Sequence, residues 1–196
     1  SSGTICSGTS TSLTASGATT YTWNPGALSG ATVAVTPTTT TIYTVTGANG
    51  SCTNTKTVTI TVNSNPTVTA VSNPTAICAG SSATLTGSGA NTYTWNPGAL
   101  TGSTTVVSPT VTTTYTVTGT STVGCTNTKT VSLVVNSIPT LTATSNPTII
   151  CSGASATLTG TGASTYTWNP GALTGATIAV TPTATTIYSV VGTSTA

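Results

Sequence analysis

The chain contains no Asp, Glu, His, Arg, Gln, Phe or Met, and its only charged side chains are Lys56 and Lys129. Each absence closes a class of function. General acid–base catalysis needs a group that exchanges a proton near neutral pH, usually an imidazole or a carboxylate, and none is encoded. Zinc, calcium and magnesium sites lose their imidazole and carboxylate ligands for the same reason. The expectation is a protein that is not an enzyme and holds no cofactor or metal. A formal net charge of +2 supplies no basic patch, so nucleic acid is not an expected partner. No apolar run approaches the roughly 18 residues of a membrane helix, and no signal peptide opens the chain.

What replaces charge is hydroxyl: Ser and Thr make up 82 of 196 residues. A soluble domain ordinarily carries about a quarter charged residues, which keep it hydrated and discourage edge-to-edge pairing. Thr is a good strand residue whose hydroxyl can face water unaided. The alternative is a surface clothed in O-linked sugar, which supplies the hydration that charge usually supplies. Thr57, Thr59, Thr61, Thr130 and Ser132 are candidate acceptors, and Asn49 heads the only N-linked sequon. Covalent glycans are therefore an expected partner. Five cysteines in Thr-rich modules point to disulfides in an oxidising, extracellular or cell-surface space.

The chain repeats itself. T-Y-T-W-N-P-G-A-L occurs three times, with Trp23, Trp95 and Trp168 spaced by 72 and 73 residues. Around it recur I-C-x-G, an S/T-L-T triplet, T-x-Y-T/S-V and, in two copies, C-T-N-T-K-T-V. Such self-similarity marks an array of small units. We read three: 1–63, 64–136 and 137–196, with 64–136 complete, the first lacking its first strand and the third its last.

Within a unit the pattern is β throughout. In Thr57-Val58-Thr59-Ile60-Thr61-Val62 apolar residues alternate strictly with threonine, the period of a half-buried strand. In repeat 2 strands are expected near 67–71, 82–87, 92–96, 103–107, 113–118 and 127–135, separated by turns at Gly89-Ala90-Asn91, Pro97-Gly98, Pro109-Thr110 and Val123-Gly124. Six or seven short strands in about 73 residues suggest a small antiparallel sandwich. Alternation assigns its core: Leu13, Leu85 and Leu158 on the second strand, Trp23, Trp95 and Trp168 on the third with Tyr21, Tyr93 and Tyr166 on the same face, and Tyr43, Tyr115 and Tyr188 facing inward beside a valine. A core tryptophan needs a backbone acceptor for its N–H.

The run I-C-A-G-S-S-A-T-L-T-G-S-G-A-N-T-Y-T-W-N-P, followed by T-T-T-Y-T-V-T-G-T and G-C-T-N-T-K-T-V, resembles the immunoglobulin-like, PKD-like tandem repeats of secreted Bacteroidota surface proteins. Those occur in adhesins and gliding-motility-associated proteins, many of them type IX secretion substrates. The resemblance implies an all-β fold of tandem small antiparallel immunoglobulin-like β-sandwiches in a linear array, an extracellular address and a stalk or adhesive role. The acidic residues common in related PKD modules are absent here, which puts calcium stiffening in doubt.

Cys6, Cys52, Cys78, Cys125 and Cys151 allow two pairings. Within repeats, Cys6–Cys52 and Cys78–Cys125 would close loops of similar span. In antibody-type domains, however, the second cysteine follows the corner tyrosine by two residues; here it follows Tyr43 by nine and Tyr115 by ten. At about 3.3 Å per residue the two sites of one repeat stand roughly 20 Å apart, whereas a disulfide needs Cα atoms within about 7 Å. That favours bonding between neighbouring repeats, Cys6 to Cys125, with Cys52 and Cys78 pairing outside this stretch.

The expected function is thus a structural repeat of an extracellular bacterial filament or adhesin stalk, its partners neighbouring repeats or subunits of its own kind. The truncated end units suggest a window on a longer repeat protein, or else subunits that complete one another by strand donation. Two alternatives stand beside it. Tyr21, Tyr93 and Tyr166, if exposed, would stack on polysaccharide, and the ladder Thr55, Thr57, Thr59, Thr61 has the regularity of an ice-binding surface, although repeat 2 breaks it with Val134.

Overall fold

The computed structural model describes residues 3–194. All its regular structure is β, and no helix of the described residues is long and apolar enough to cross a membrane. Repeat 1 forms β1 (Gly3–Cys6), β2 (Thr11–Thr14), β3 (Thr20–Asn24), β4 (Leu28–Ser29), β5 (Thr32–Val35), β6 (Thr41–Asn49) and β7 (Cys52–Asn63). Repeat 2 forms β8 (Thr69–Asn73), β9 (Ala76–Cys78), β10 (Ala83–Ser88), β11 (Thr92–Asn96), β12 (Leu100–Thr101), β13 (Thr104–Val107), β14 (Thr113–Thr120) and β15 (Thr126–Asn136). Repeat 3 forms β16 (Thr142–Asn146), β17 (Ala156–Thr161), β18 (Thr165–Asn169), β19 (Leu173–Thr174), β20 (Thr177–Val180) and β21 (Ser189–Thr193).

By compactness the chain divides into two units. One gathers the chain through Thr75 with Ala83–Val107 and Thr114–Ser132; the other gathers Ala76–Ser82, Ser108–Thr113 and the chain from Leu133 on. This boundary runs through repeat 2, so compact units and sequence repeats are different divisions of the chain.

In the first unit, one sheet has the order β1-β7-β6-β3-β4 and faces the pair β2-β5. The alternation of Thr with Val, Ile or Tyr explains both layers, since one face of each strand is apolar and must be covered. Leu13, Trp23, Val33, Val35, Tyr43 and Ile60 fill the space between them. A three-stranded sheet, β13-β10-β8, lies in the same unit, together with β11 and its partners β12 and β14. In the second unit, sheets β16-β17-β20 and β19-β18-β21 enclose Ala156, Leu158, Trp168 and Val180.

The nine-residue phrase T-Y-T-W-N-P-G-A-L becomes a tight hairpin in each repeat, with Trp23 opposite Leu28, Trp95 opposite Leu100 and Trp168 opposite Leu173. Its corner places Ala27, Ala99 and Ala172 at φ of 48°, 49° and 49°, a left-handed conformation that disfavours a Cβ. Closing the hairpin this way seats the indole: Nε1 of Trp23, Trp95 and Trp168 donates to the carbonyls of Gly30, Gly102 and Gly175 at 3.0, 3.1 and 3.0 Å. A buried polar N–H is thereby satisfied within the hairpin that carries it.

The structure departs from the sequence reading at several places. The strand expected at 67–71 lies at Thr69–Asn73, and β9 and β12 were not anticipated. β9 and its repeat-1 counterpart β1 are parallel strands, β1 alongside the end of β7 (Cys6 opposite Asn63) and β9 alongside the end of β15 (Cys78 opposite Asn136). Cys6 therefore ends a strand of its own. Tyr188 is half-buried, where a core position was expected; it stands just ahead of β21, an edge strand that among the described residues pairs with β18 alone.

Candidate functional site

Two kinds of feature concentrate chemistry and shape: a disulfide-clamped joint and two clefts. The joint follows from the length of β7. Its twelve residues rise about 3.3 Å each, which sets Cys52 at one end and Asn63 at the other, some 36 Å apart. Because β1 runs parallel beside the far end, Cys6 is held next to Asn63 and far from Cys52. Cys125 meets it there. The Cys6–Cys125 disulfide has a Cα separation of 5.5 Å and spans 119 residues of sequence. Cys125 is fully buried, with Sγ 3.9 Å from the Asn63 carbonyl.

Backbone and amide groups reinforce this joint. The Ser7 N–H donates to the Asn63 carbonyl at 2.9 Å. Asn65 Nδ2 donates to the Ser7 carbonyl at 3.2 Å and Asn127 Nδ2 to the Pro66 carbonyl at 3.0 Å. Sequence reasoning placed Asn65 in the spacing linker Asn63-Ser64-Asn65-Pro66 but gave neither asparagine a bonding role. The signal was available in the repeated C-T-N-T-K phrase, but Asn127 gains its role only through the partner segment. Cys52, Cys78 and Cys151 are free and exposed.

The aromatic candidates separate. Tyr93 and Tyr166 are buried at 8 % exposure, and each hydroxyl accepts from and donates to one alanine backbone, Ala90 and Ala163 respectively, at 2.7–2.8 Å. Neither ring offers a stacking face. Tyr21 is half-buried, its hydroxyl accepting from the Ala18 N–H at 2.5 Å. Tyr43 and Tyr115 are buried, and burial pushes the Tyr115 phenol above its ordinary value.

Leu13, Leu85, Leu158 and all three tryptophans are buried as well. Of the glycan candidates, Thr57, Thr61, Thr130, Ser132 and Asn49 are exposed and Thr59 is half-buried. Asn49 already accepts a hydrogen bond from the Thr19 N–H at 2.7 Å through Oδ1. The Thr55–Thr61 ladder lies on β7, with Thr57 opposite Thr44 and Thr55 opposite Thr46.

One cleft, of about 870 Å³, opens beside β2 in repeat 1 and is lined by Leu13, Ala15, Tyr21, Val45, Gly47 and Val58 among others. The second, of about 740 Å³, opens in repeat 3 around Ile150, Leu158, Trp168 and Tyr188. Both have hydroxyl and aliphatic walls, and among the described residues no group of three or more metal-ligating side chains occurs.

No family model and no curated protein sequence matches the chain. Among solved structures it is similar to an amphioxus IgVJ-C2 molecule, at 16 % identity over 67 % of this chain and 99 % of that one, with a TM-score of 0.31. It is similar to a Ca²⁺-stabilised adhesin that helps an Antarctic bacterium reach out and bind ice, at 17 % identity over 91 % of this chain and 60 % of that one, TM-score 0.31. Titin domains Z1Z2 in complex with telethonin are similar at 17 % identity over 70 % and 93 %, TM-score 0.29.

Proposed function

We propose that this chain is a structural repeat segment of an extracellular bacterial filament or adhesin stalk, of the immunoglobulin-like, PKD-like kind found in secreted Bacteroidota surface proteins. Its repeats are the stretches 1–63, 64–136 and 137–196. The observation that carries the reading is the Cys6–Cys125 bond, which ties the opening of one repeat to the end of the next. A bond placed there restricts bending between consecutive repeats and does nothing for chemistry. The exposed Thr and Ser of β7 and β15 carry O-linked glycan in this reading, replacing the missing surface charge.

A carbohydrate-binding role draws little support, because Tyr93 and Tyr166 are buried and their hydroxyls are occupied. The test is the native material, imaged by electron microscopy and weighed after denaturation, with and without reduction. A fibre whose denatured mass greatly exceeds 19.0 kDa, or falls to near that value plus sugar increments on reduction, supports the proposal. A compact, unglycosylated 19.0 kDa monomer in both states refutes it.

A further inference from the structure

Repeats 2 and 3 each begin with a strand that packs over glycine. In repeat 2, β8 pairs antiparallel with β10, Ser72 opposite Leu85 and Ala70 opposite Gly87. Just ahead of it Val68 is buried over Gly119, where an added Cβ would stand 2.6 Å from Val68 Cγ2. The carbonyl of Thr67 crosses Gly89 so closely that a Cβ there would overlap it. Repeat 3 repeats the arrangement: β16 pairs with β17, Leu141 covers Gly192, and the Thr140 carbonyl crosses Gly162. The unit is one strand with one aliphatic knob, lodged against two glycines that leave it room.

Repeat 1 has the receiving half of this unit. Among the described residues β2 pairs on one side only, with β5, and its other edge borders the 870 Å³ cleft. Gly47 stands where Gly119 and Gly192 stand, four residues after the repeat's tyrosine, and Gly17 where Gly89 and Gly162 stand, six before its tryptophan. A Cβ on Gly17 would meet nothing within 4 Å, and one on Gly47 only Ala18 and Tyr21 of its own repeat. Val45 and Tyr21 are half-buried, while their counterparts Val117 and Tyr93 are buried.

We infer that the repeat-1 cleft is a strand-docking site, and that its occupant is a β-strand of the Pro66–Asn73 type from a further repeat of this kind. The strand pairs antiparallel with β2 and sets its third residue, Val or Leu, over Gly47. Main-chain hydrogen bonds supply general affinity and the aliphatic knob supplies register, the division of labour of strand addition to a sheet edge. The inference rests on the stalk reading for its biological sense. Its test is separate, since failure of docking leaves the fibre and its mass untouched, and failure of the fibre test leaves docking intact.

The probe is a synthetic peptide with the sequence of residues 63–75, added to the chain while amide exchange is followed. Saturable binding with protection of the Thr11–Ala15 amides is expected. A peptide carrying Val68→Lys should bind at least about tenfold more weakly, because it would bury an unpaired ammonium. Gly47→Leu in the chain should block the peptide by filling the socket. If Gly47→Leu does not fold, the peptide variant alone decides. No protection at β2, equal binding of the Lys peptide, or protection of the same amides by oligosaccharide in place of peptide overturns the inference.

Discussion

Tyr21 and Tyr93 sit at the same point of the same phrase, yet one ring is half-buried and the other buried. The valines that follow the corner tyrosines differ in the same sense: Val45 is half-buried, and Val117 is wholly inaccessible. Near-identical strands therefore reach different burial because repeat 2 has β8 with Val68 ahead of it and repeat 1 has a cleft. The hairpin with its tryptophan and glycine acceptor forms in both, so it belongs to the local phrase. Closure of the sandwich edge belongs to a segment 12 to 17 residues upstream of the leucine on the strand it pairs with. A repeat of this kind has an autonomous centre and a dependent margin.

The largest effect expected from probing this contrast is at the joint that links the two repeats. Loss of the bond in Cys6→Ser/Cys125→Ser should lower unfolding free energy by about 5 kcal/mol, the loop-entropy value for a closed loop of more than 100 residues. Denaturant titration measures it, and a change under about 1 kcal/mol would mean that the asparagine hydrogen bonds hold the joint alone.

Next, Gly119→Ala should cost about 1–3 kcal/mol, since its Cβ would press on Val68 and Ala90 at 2.6 and 2.7 Å. Gly47→Ala, whose nearest neighbour is the Ala18 Cβ at 3.0 Å, should cost clearly less. Equal losses in parallel thermal melts would erase the distinction between a filled and an open edge. A finer probe is Ser72, buried on β8 with no hydrogen-bond partner for its hydroxyl. Ser72→Ala should stabilise by about 1 kcal/mol, while Ser145→Ala at the exposed counterpart in repeat 3 should be neutral.

The smallest effect is that of pH. With no Asp, Glu or His, the chain has no side chain whose protonation weakens it in acid, so the melting temperature should stay level from about pH 7 down to pH 3. The raised pKa of Tyr115 means that the folded chain holds its proton more tightly than the unfolded one. That contribution is whole below the unfolded value of about 10 and is lost as pH rises through the folded value. Melts at pH 11 should therefore fall below those at pH 9, and Tyr115→Phe should reduce the drop.

Strict Thr–apolar alternation made most strands legible in the sequence, and Leu85, Trp95 and Tyr115 could be placed in a core from period alone. Parallel strands β1 and β9 were hidden because three or four residues are too few to show a period. The cysteine geometry was partly legible. Strand rise argued against Cys6–Cys52, although the reason in the structure is the parallel seat of β1 beside Asn63. Alternation put Tyr21, Tyr93 and Tyr166 on the face of the tryptophans, but it could not separate half-buried Tyr21 from buried Tyr93 and Tyr166, since it gives the face of a residue and not what covers it. The recurrence of Gly47, Gly119 and Gly192 was on view in the repeat, but a glycine's purpose shows only when the knob above it is seen.

The bond between Cys6 and Cys125 also changes what happens when the chain is pulled. Tension applied at both ends enters the covalent link and bypasses the 118 residues between. Even if everything inside that loop unfolded, roughly 400 Å of extended backbone would stay withheld from the load. Under force the oxidised segment lengthens little. In a reducing medium the same length becomes available as slack, and the segment turns from a strut into a spring.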